Sequence, residues 1–337
     1  MTAKTRYFVL TAFAILIGGL TTGLVASYMG GLPVALTRGA GPDDLAFVPP
    51  DAVAVAYADV QQVMASDALQ RLRRLHEAES ANNPDASTER HDFEEKTGVN
   101  VERDIDAVVA AMMPGAAADD HRPLVLARGR FDQVRIEGLA REHGGEVSDY
   151  QGVRVVAHHG DHETMAVGFL APGVVAVGSL EGVQAAVQAK QSGRNVLSNT
   201  EMMRLVSELD NANAWAVGRF DAVATTAGLP GELQQRVPTL SWFSAAGNLN
   251  GGVSGTFKAE AKDEEAAKNL RDMLRGVMAM VKMQADNKPE LRALADSLQL
   301  GGEGKTVAVG FSLPTQLFDV IEQLERQKQE KRPADAR

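Results

Sequence analysis

DAVAVAYADVQQV, residues 51–63, and NAWAVGRFDAV, residues 213–223, decide how the chain is divided. In the first, Val53, Val55 and Tyr57 alternate with alanines, a period of two that predicts a strand with one bulky and one narrow face. The spacing then changes, and Val60, Val63, Met64, Leu69, Leu72 and Leu75 recur as along one side of a helix. The second stretch repeats that order. Downstream, GVSGTFKAEAKDEEAAKNLRDMLRG (252–276) repeats RPLVLARGRFDQVRIEGLAREHG (122–144), again as strand then helix. The likeness lies in element order and apolar placement, with little residue identity. Each copy is expected to run strand, helix, strand, helix, strand, close to a ferredoxin-like split β-α-β arrangement with mainly antiparallel sheets. The expected fold class is therefore α+β, with one module over 49–210, a second over 211–325 and a charged tail at 326–337.

Local signals fill in the elements. VERDIDAVVAAMM (101–113) carries a helical spacing, and the polar stretch 77–97 reads as an exposed loop. Ala171-Pro172-Gly173 and Asn250-Gly251 mark hairpins. Ser179 is placed to cap a helix closed by Gly193, and Ser198 to cap the next, with Glu201 completing a capping box and Leu197 stapling against Met202. Over 263–284, Leu270, Met273, Leu274, Val277, Met278 and Val281 form one apolar stripe that Met280 and Met283 widen, which reads as core packing, with a soft-metal or promiscuous binding surface at Met273, Met278, Met280 and Met283 as the alternative.

Ahead of the modules, residues 7–29, YFVLTAFAILIGGLTTGLVASYM, carry no charge. As a helix this run extends about 35 Å, enough to cross a hydrocarbon layer of about 30 Å. Tyr7 and Tyr28 sit near its ends; Lys4 and Arg6 lie in the short N-terminus, 1–6, while Asp43 and Asp44 follow on the far side. The positive-inside rule puts the N-terminus in the cytoplasm and the bulk outside, as in a bacterial inner-membrane protein with a periplasmic or extracellular domain. Val25-Ala26-Ser27 leaves a cleaved signal peptide as the competing reading. Gly- and Pro-rich residues 30–48 read as a tether.

Composition narrows the chemistry. The 337 residues carry a net charge of −10, and subtracting the two positive charges of Lys4 and Arg6 leaves −12 for the remainder. Such a domain repels a phosphate backbone, so nucleic acid is not an expected partner. There is no cysteine, which excludes disulfides, thiol catalysis and Cys-ligated zinc. FVPPDAVAVAYADV (47–60), VAVGSLEGVQAAV (175–187) and LSNTEMMRLV (197–206) together resemble uncharacterised bacterial single-pass membrane proteins with paired α+β exported domains. The resemblance spans residues 47 to about 325 and implies a fold and a location, with no catalytic residue and no cofactor.

Two strings invite a chemical reading. GGEGKT (301–306) ends like a phosphate-binding loop, but Gln299 stands where that loop needs glycine and a strand follows where a helix should open. HHGDHE (158–163) gathers His158, His159, Asp161 and His162, a donor set suited to zinc, nickel or copper, although a polar turn between two strands explains it as well. Ser179 follows a glycine at a strand-to-helix junction, where capping accounts for it, and no nucleophile elbow occurs. The leading expectation is a membrane-anchored, exported, non-catalytic binding, scaffolding or assembly protein whose partner is another membrane or periplasmic protein. The alternatives are a metal-handling domain using residues 158–163, and an enzyme with a site between the modules.

Overall fold

The computed structural model describes residues 43–67, 69–70, 94–115, 121–160, 164–209, 212–223, 240–249, 252–285, 292 and 295–314. The first half contributes β1 (Ala54–Asp59), α1 (Val60–Ala65), α2 (Val101–Asp104), β2 (Ile105–Pro114), β3 (His121–Gly129) and α3 (Gln133–Glu142). It continues through β4 (Glu146–Tyr150), β5 (Val153–His159), β6 (Thr164–Ala171), β7 (Val174–Ser179), α4 (Leu180–Ser192) and α5 (Thr200–Ser207). The second half contributes β8 (Ala214–Arg219), α6 (Phe220–Val223), β9 (Leu240–Asn248), β10 (Gly252–Ala261), α7 (Glu264–Ala285), β11 (Gln299–Gly301) and β12 (Thr306–Pro314).

The expected pair of ferredoxin-like modules is not what forms. All twelve strands of the described residues belong to one antiparallel sheet in the order β11-β12-β10-β9-β8-β1-β2-β3-β7-β6-β5-β4. The two halves meet where β1 pairs with β8, centred on Ala56 opposite Ala216, so neither half closes on itself. Outward from that seam the order is β1-β2-β3-β7 on one side and β8-β9-β10-β12 on the other. The strand–helix repeats 54–65 and 214–223, and 121–142 and 252–285, occupy matching places in it.

Residues 105–114 form β2 rather than a helix. β2 lies between β1 and β3 and is buried on both faces, Val109 on one and Val108 on the other. A strand buried on both sides is apolar throughout, which removes the alternation by which strands are recognised. α5 begins one residue later than expected: Asn199 is its cap, accepting from Met202 N at 3.1 Å, while Ser198 ends a short 3-10 turn. Ser179 caps α4 through Gly182 N, and Gly193 ends it in the left-handed region at φ 69°.

The main core lies on the front face of the sheet, where Val55, Val109, Leu124, Leu126 and Ala176 meet Val183 and Ala186 of α4 and Leu205 of α5. Residues 43–48 belong to it: Leu45, Phe47 and Val48 are buried there, and Asp44 holds Arg128 of β3 through a two-pronged ion pair. Only the part of the expected tether before residue 43 lies outside the described residues. On the back face, Val60 of α1 packs with Ile105, Val108 and Val125, and Ala267 and Leu270 of α7 pack on Ala259 and Val307. Among the described residues no helix is long and apolar enough to cross a membrane, so no described element supports a single-pass arrangement. The expected spanning segment, 7–29, lies outside the described residues, as does the tail at 326–337.

The seam is held by more than the ladder. Tyr57 and Trp215 face each other across it with ring centroids 5.7 Å apart. Asn213, 3% exposed, accepts Asp59 N on its carbonyl at 2.8 Å, accepts Leu249 N on Oδ1 at 3.0 Å and donates from Nδ2 to Gln62 Oε1 at 2.7 Å. One side chain thus ties α1 of the first half to the end of β9 in the second. Asn213→Ala leaves the Leu249 N–H without that partner and should cost about 1–3 kcal/mol, read as a lower urea midpoint. In the parent chain, tryptophan emission, which reports the seam through Trp215 and the second half through Trp242, should change together with far-ultraviolet circular dichroism. Two separated transitions would show the halves to unfold independently.

Candidate functional site

α7 is the longest described helix, 22 residues or about 33 Å. Asp263 starts it by accepting Ala266 N at 2.8 Å, and Glu264 and Glu265 favour the positive end of the helix dipole. Its apolar stripe has two fates. Ala266, Ala267, Leu270, Met273 and Leu274 dock on the back face of β10 and β12. Beyond Leu274 the stripe runs off its support, leaving Val277 50%, Met280 58% and Val281 38% exposed, with Met283 beside them at 72%. The core reading of this stripe therefore holds only for its N-terminal half. On the same face of the sheet, Phe257, 43% exposed, stacks on Phe243 with centroids 6.2 Å apart. Isolated exposed apolar residues are ordinary, but a contiguous stripe of them marks an interaction surface.

The histidine-rich turn is only partly described. His158 and His159 end β5, opposite Met165 and Thr164 of β6, and neighbouring strand residues point to opposite faces, so the two rings diverge. The His159 Nδ1 lies 2.9 Å from Thr164 Oγ1, and its Nε2 lies 3.9 Å from a Glu146 carboxylate oxygen on β4. Asp161 and His162 lie outside the described residues. Among the described residues no three His, Asp or Glu side chains gather closely enough to hold a metal ion.

GGEGKT turns out to be the hairpin between β11 and β12, with Gly302 and Gly304 at positive φ of 96° and 54°. Its carbonyls converge on a cation: Arg271 of α7 donates to Thr306 O at 2.9 Å and to Gly302 O and Gly304 O at 3.3–3.4 Å. A phosphate-binding loop presents N–H groups instead, so this turn has the opposite polarity and is filled by the protein's own guanidinium.

Buried carboxylates, the usual start of acid–base chemistry, are committed elsewhere. Asp44 is paired with Arg128, as above. Glu137 of α3, its side chain 7% exposed, accepts from Arg154 of β5 at 2.5 and 3.2 Å and from Gln133 at 2.8 Å. The hydrogen bond from Arg154, then that from Gln133, hold its carboxyl below the usual glutamate range, the wrong direction for a proton donor at neutral pH. Burial, helped by Asp59 and Asp44, pushes the Tyr57 phenol up to about 12, so it stays protonated. At the β1–β8 seam itself the two halves meet as paired strands.

No protein-family model and no curated protein matches the chain. Among solved structures, one titled "Structure of crystal form I of TP0453" aligns at 13% identity and a TM-score of 0.41, over 85% of this chain and 99% of that one. A likeness of that size carries no argument about function.

The Glu137 clamp has a pH signature. A carboxyl whose folded pKa is depressed adds stability that is complete above its unfolded value, about 4.3, and that fades as the pH falls through that value towards the folded one. Glu137→Gln cannot follow that titration. The variant should be less stable than the parent at pH 7, and the gap should narrow as the pH falls below about 4.3. Denaturant titrations at several pH values measure it, and a gap independent of pH would rule the clamp out as an ionic one.

Proposed function

We propose that this chain is a non-catalytic binding or assembly protein, held at the outer face of a bacterial inner membrane, whose α7 overhang receives a second protein. The observation that carries the reading is the division of α7. One continuous stripe seats its first half on the sheet and leaves Val277, Met280 and Val281 in water. With these three side chains 38–58% exposed, covering them would recover about half of the roughly 1.5–3 kcal/mol that full burial of each is worth. The neighbouring Lys282 favours a partner whose apolar face is bordered by a carboxylate, while Arg275 is paired with Asp272 of the same helix. The location rests on residues 7–29 and their flanking charges.

Two experiments test the reading. A photo-reactive residue in place of Met280 should give a discrete adduct in cells, and one in place of the exposed Lys268, early in the helix, should not. Val277→Asp with Val281→Asp should abolish the adduct while moving stability by no more than about 0.5 kcal/mol, as expected at an exposed site. Adducts of equal strength at both positions, or adducts that survive the double substitution, would overturn the proposal. For the location, the full chain should sediment with membranes and resist alkaline extraction, and a chain begun at Gly30 should be released. A full-length chain found in the soluble fraction would refute the anchor.

A further inference from the structure

The two halves of the sheet differ on the front face. In the first half β3 presents Leu124 and Leu126 to the core there. At the corresponding place in the second half, β10 presents Lys258 and Glu260, with Ser244 and Trp242 opposite them on β9 and Ala308 and Thr306 opposite on β12. α5 crosses above these residues, and its charged edge meets them: Arg204 reaches Glu260 at 2.5 Å and Glu208 at 3.0 Å, and Lys258 reaches Glu208 at 2.9 Å. Between the helix and the sheet lies a cavity of about 280 Å³ lined by these side chains, with Trp242 and Leu205 among its apolar walls. Its volume is near the lower end for small-molecule sites, about 300–1,000 Å³.

Ser244 gives this cavity a reason to bind something. The residue is 1% exposed, it lines the cavity, and its hydroxyl has no hydrogen-bond partner. Buried hydroxyls are nearly always paired, because leaving one unpaired forfeits its hydration with no return. The surrounding groups define the missing partner. Two cations, Arg204 and Lys258, face two carboxylates, Glu208 and Glu260, so the lining is electrically balanced. A ligand with a net charge would unbalance that lining. Spare capacity remains on both signs of group: the Lys258 ammonium has three donors and gives one to Glu208, and Glu260 accepts from Arg204 through Oε1. Such a lining suits groups that both donate and accept without carrying charge, as hydroxyls do. Trp242 adds an apolar ring for the C–H face of such a molecule.

We propose that the α5–β10 cavity binds a neutral polyhydroxyl ligand about the size of one sugar ring, with Ser244 at its floor and Lys258 and Glu260 bonding its hydroxyls. The site is separate from the α7 overhang, which lies on the other face of the sheet, so either reading stands or falls without the other. The full chain, purified in a detergent without a sugar headgroup, is titrated calorimetrically with a panel of neutral monosaccharides and polyols, with glycine as a zwitterion and glucuronate as an anion. At least one neutral member should bind and alter Trp242 emission in a Trp215→Phe background. Ser244→Ala should weaken that binding about 3- to 10-fold, the equivalent of one hydrogen bond. The same variant should melt no lower than the parent, because it removes a hydroxyl that no protein group satisfies. Glu260→Gln, which keeps the shape of the side chain, should also weaken binding. The proposal is overturned if no neutral member binds, if glycine or glucuronate binds more tightly, if Ser244→Ala leaves affinity unchanged, or if Ser244→Ala lowers the melting temperature.

Discussion

Every element of this protein takes its place from the pairing of β1 with β8. Five residue pairs, from Ala54 opposite Gly218 to Ala58 opposite Ala214, join two halves that would otherwise each expose an edge strand. An unpaired edge is a hazard in water, since its N–H and C=O groups invite pairing with another chain. Pairing the two edges with each other removes both and makes one sheet of twelve strands. The bulky side of the seam, with Val55, Tyr57, Trp215 and Val217, feeds the main core. The narrow side is alanine and glycine, and it must be: a Cβ on Gly218 would stand 2.7 Å from Ala54 Cβ and 2.9 Å from the Phe243 ring.

The seam also explains why the halves, alike in strand order, differ in chemistry. In the first half the front face is sealed by α4, and the sheet beneath is aliphatic. In the second the corresponding strands carry Lys258 and Glu260, and the covering helix, α5, comes from the first half and meets these strands through ion pairs along one edge. Exposed pairs of this kind contribute little net stability, typically below about 1 kcal/mol each, so α5 rests mainly on Met202, Leu205 and Val206. A helix anchored apolar on one side and ionic on the other leaves a polar cavity at its charged edge. The back face has its own asymmetry, in α7, whose stripe outruns the sheet that supports it.

Much of the element order was legible in the residues. Alternation in AVAVAYA, the Ala171-Pro172-Gly173 turn and the Ser179 cap are local signals, and each marks a boundary that the chain adopts. β2 was hidden for a physical reason: flanked by β1 and β3 and covered on both faces, it is apolar from Ala107 to Met113 with no polar residue there to alternate with. Asn199 displaced Ser198 as the cap of α5 because both side chains accept hydrogen bonds and only the backbone path between the 3-10 turn and the helix chooses between them. The candidate sites were less legible. Met280 and Met283 read as core, since a helical stripe does not announce where its supporting sheet ends. Ser244 carried no motif at all, and its neighbours Lys258 and Arg204 lie far from it along the chain.

By itself, then, the sequence determined most strand and helix positions, though not β2, together with the two-fold recurrence of strand and helix, the absence of thiol chemistry and the acidic charge of the domain. These depend on side-chain volume, periodicity and ionisation, which act within a few residues of each other. The tertiary structure alone decided that the two copies share one sheet, that the glycine-rich turn cradles Arg271 rather than a phosphate, and that half of α7 is left uncovered. Each of those outcomes turns on which surface meets which across many residues of chain. Backbone hydrogen bonds are the same for every residue, so a strand's sequence does not name its partner; the packing of the whole sheet does.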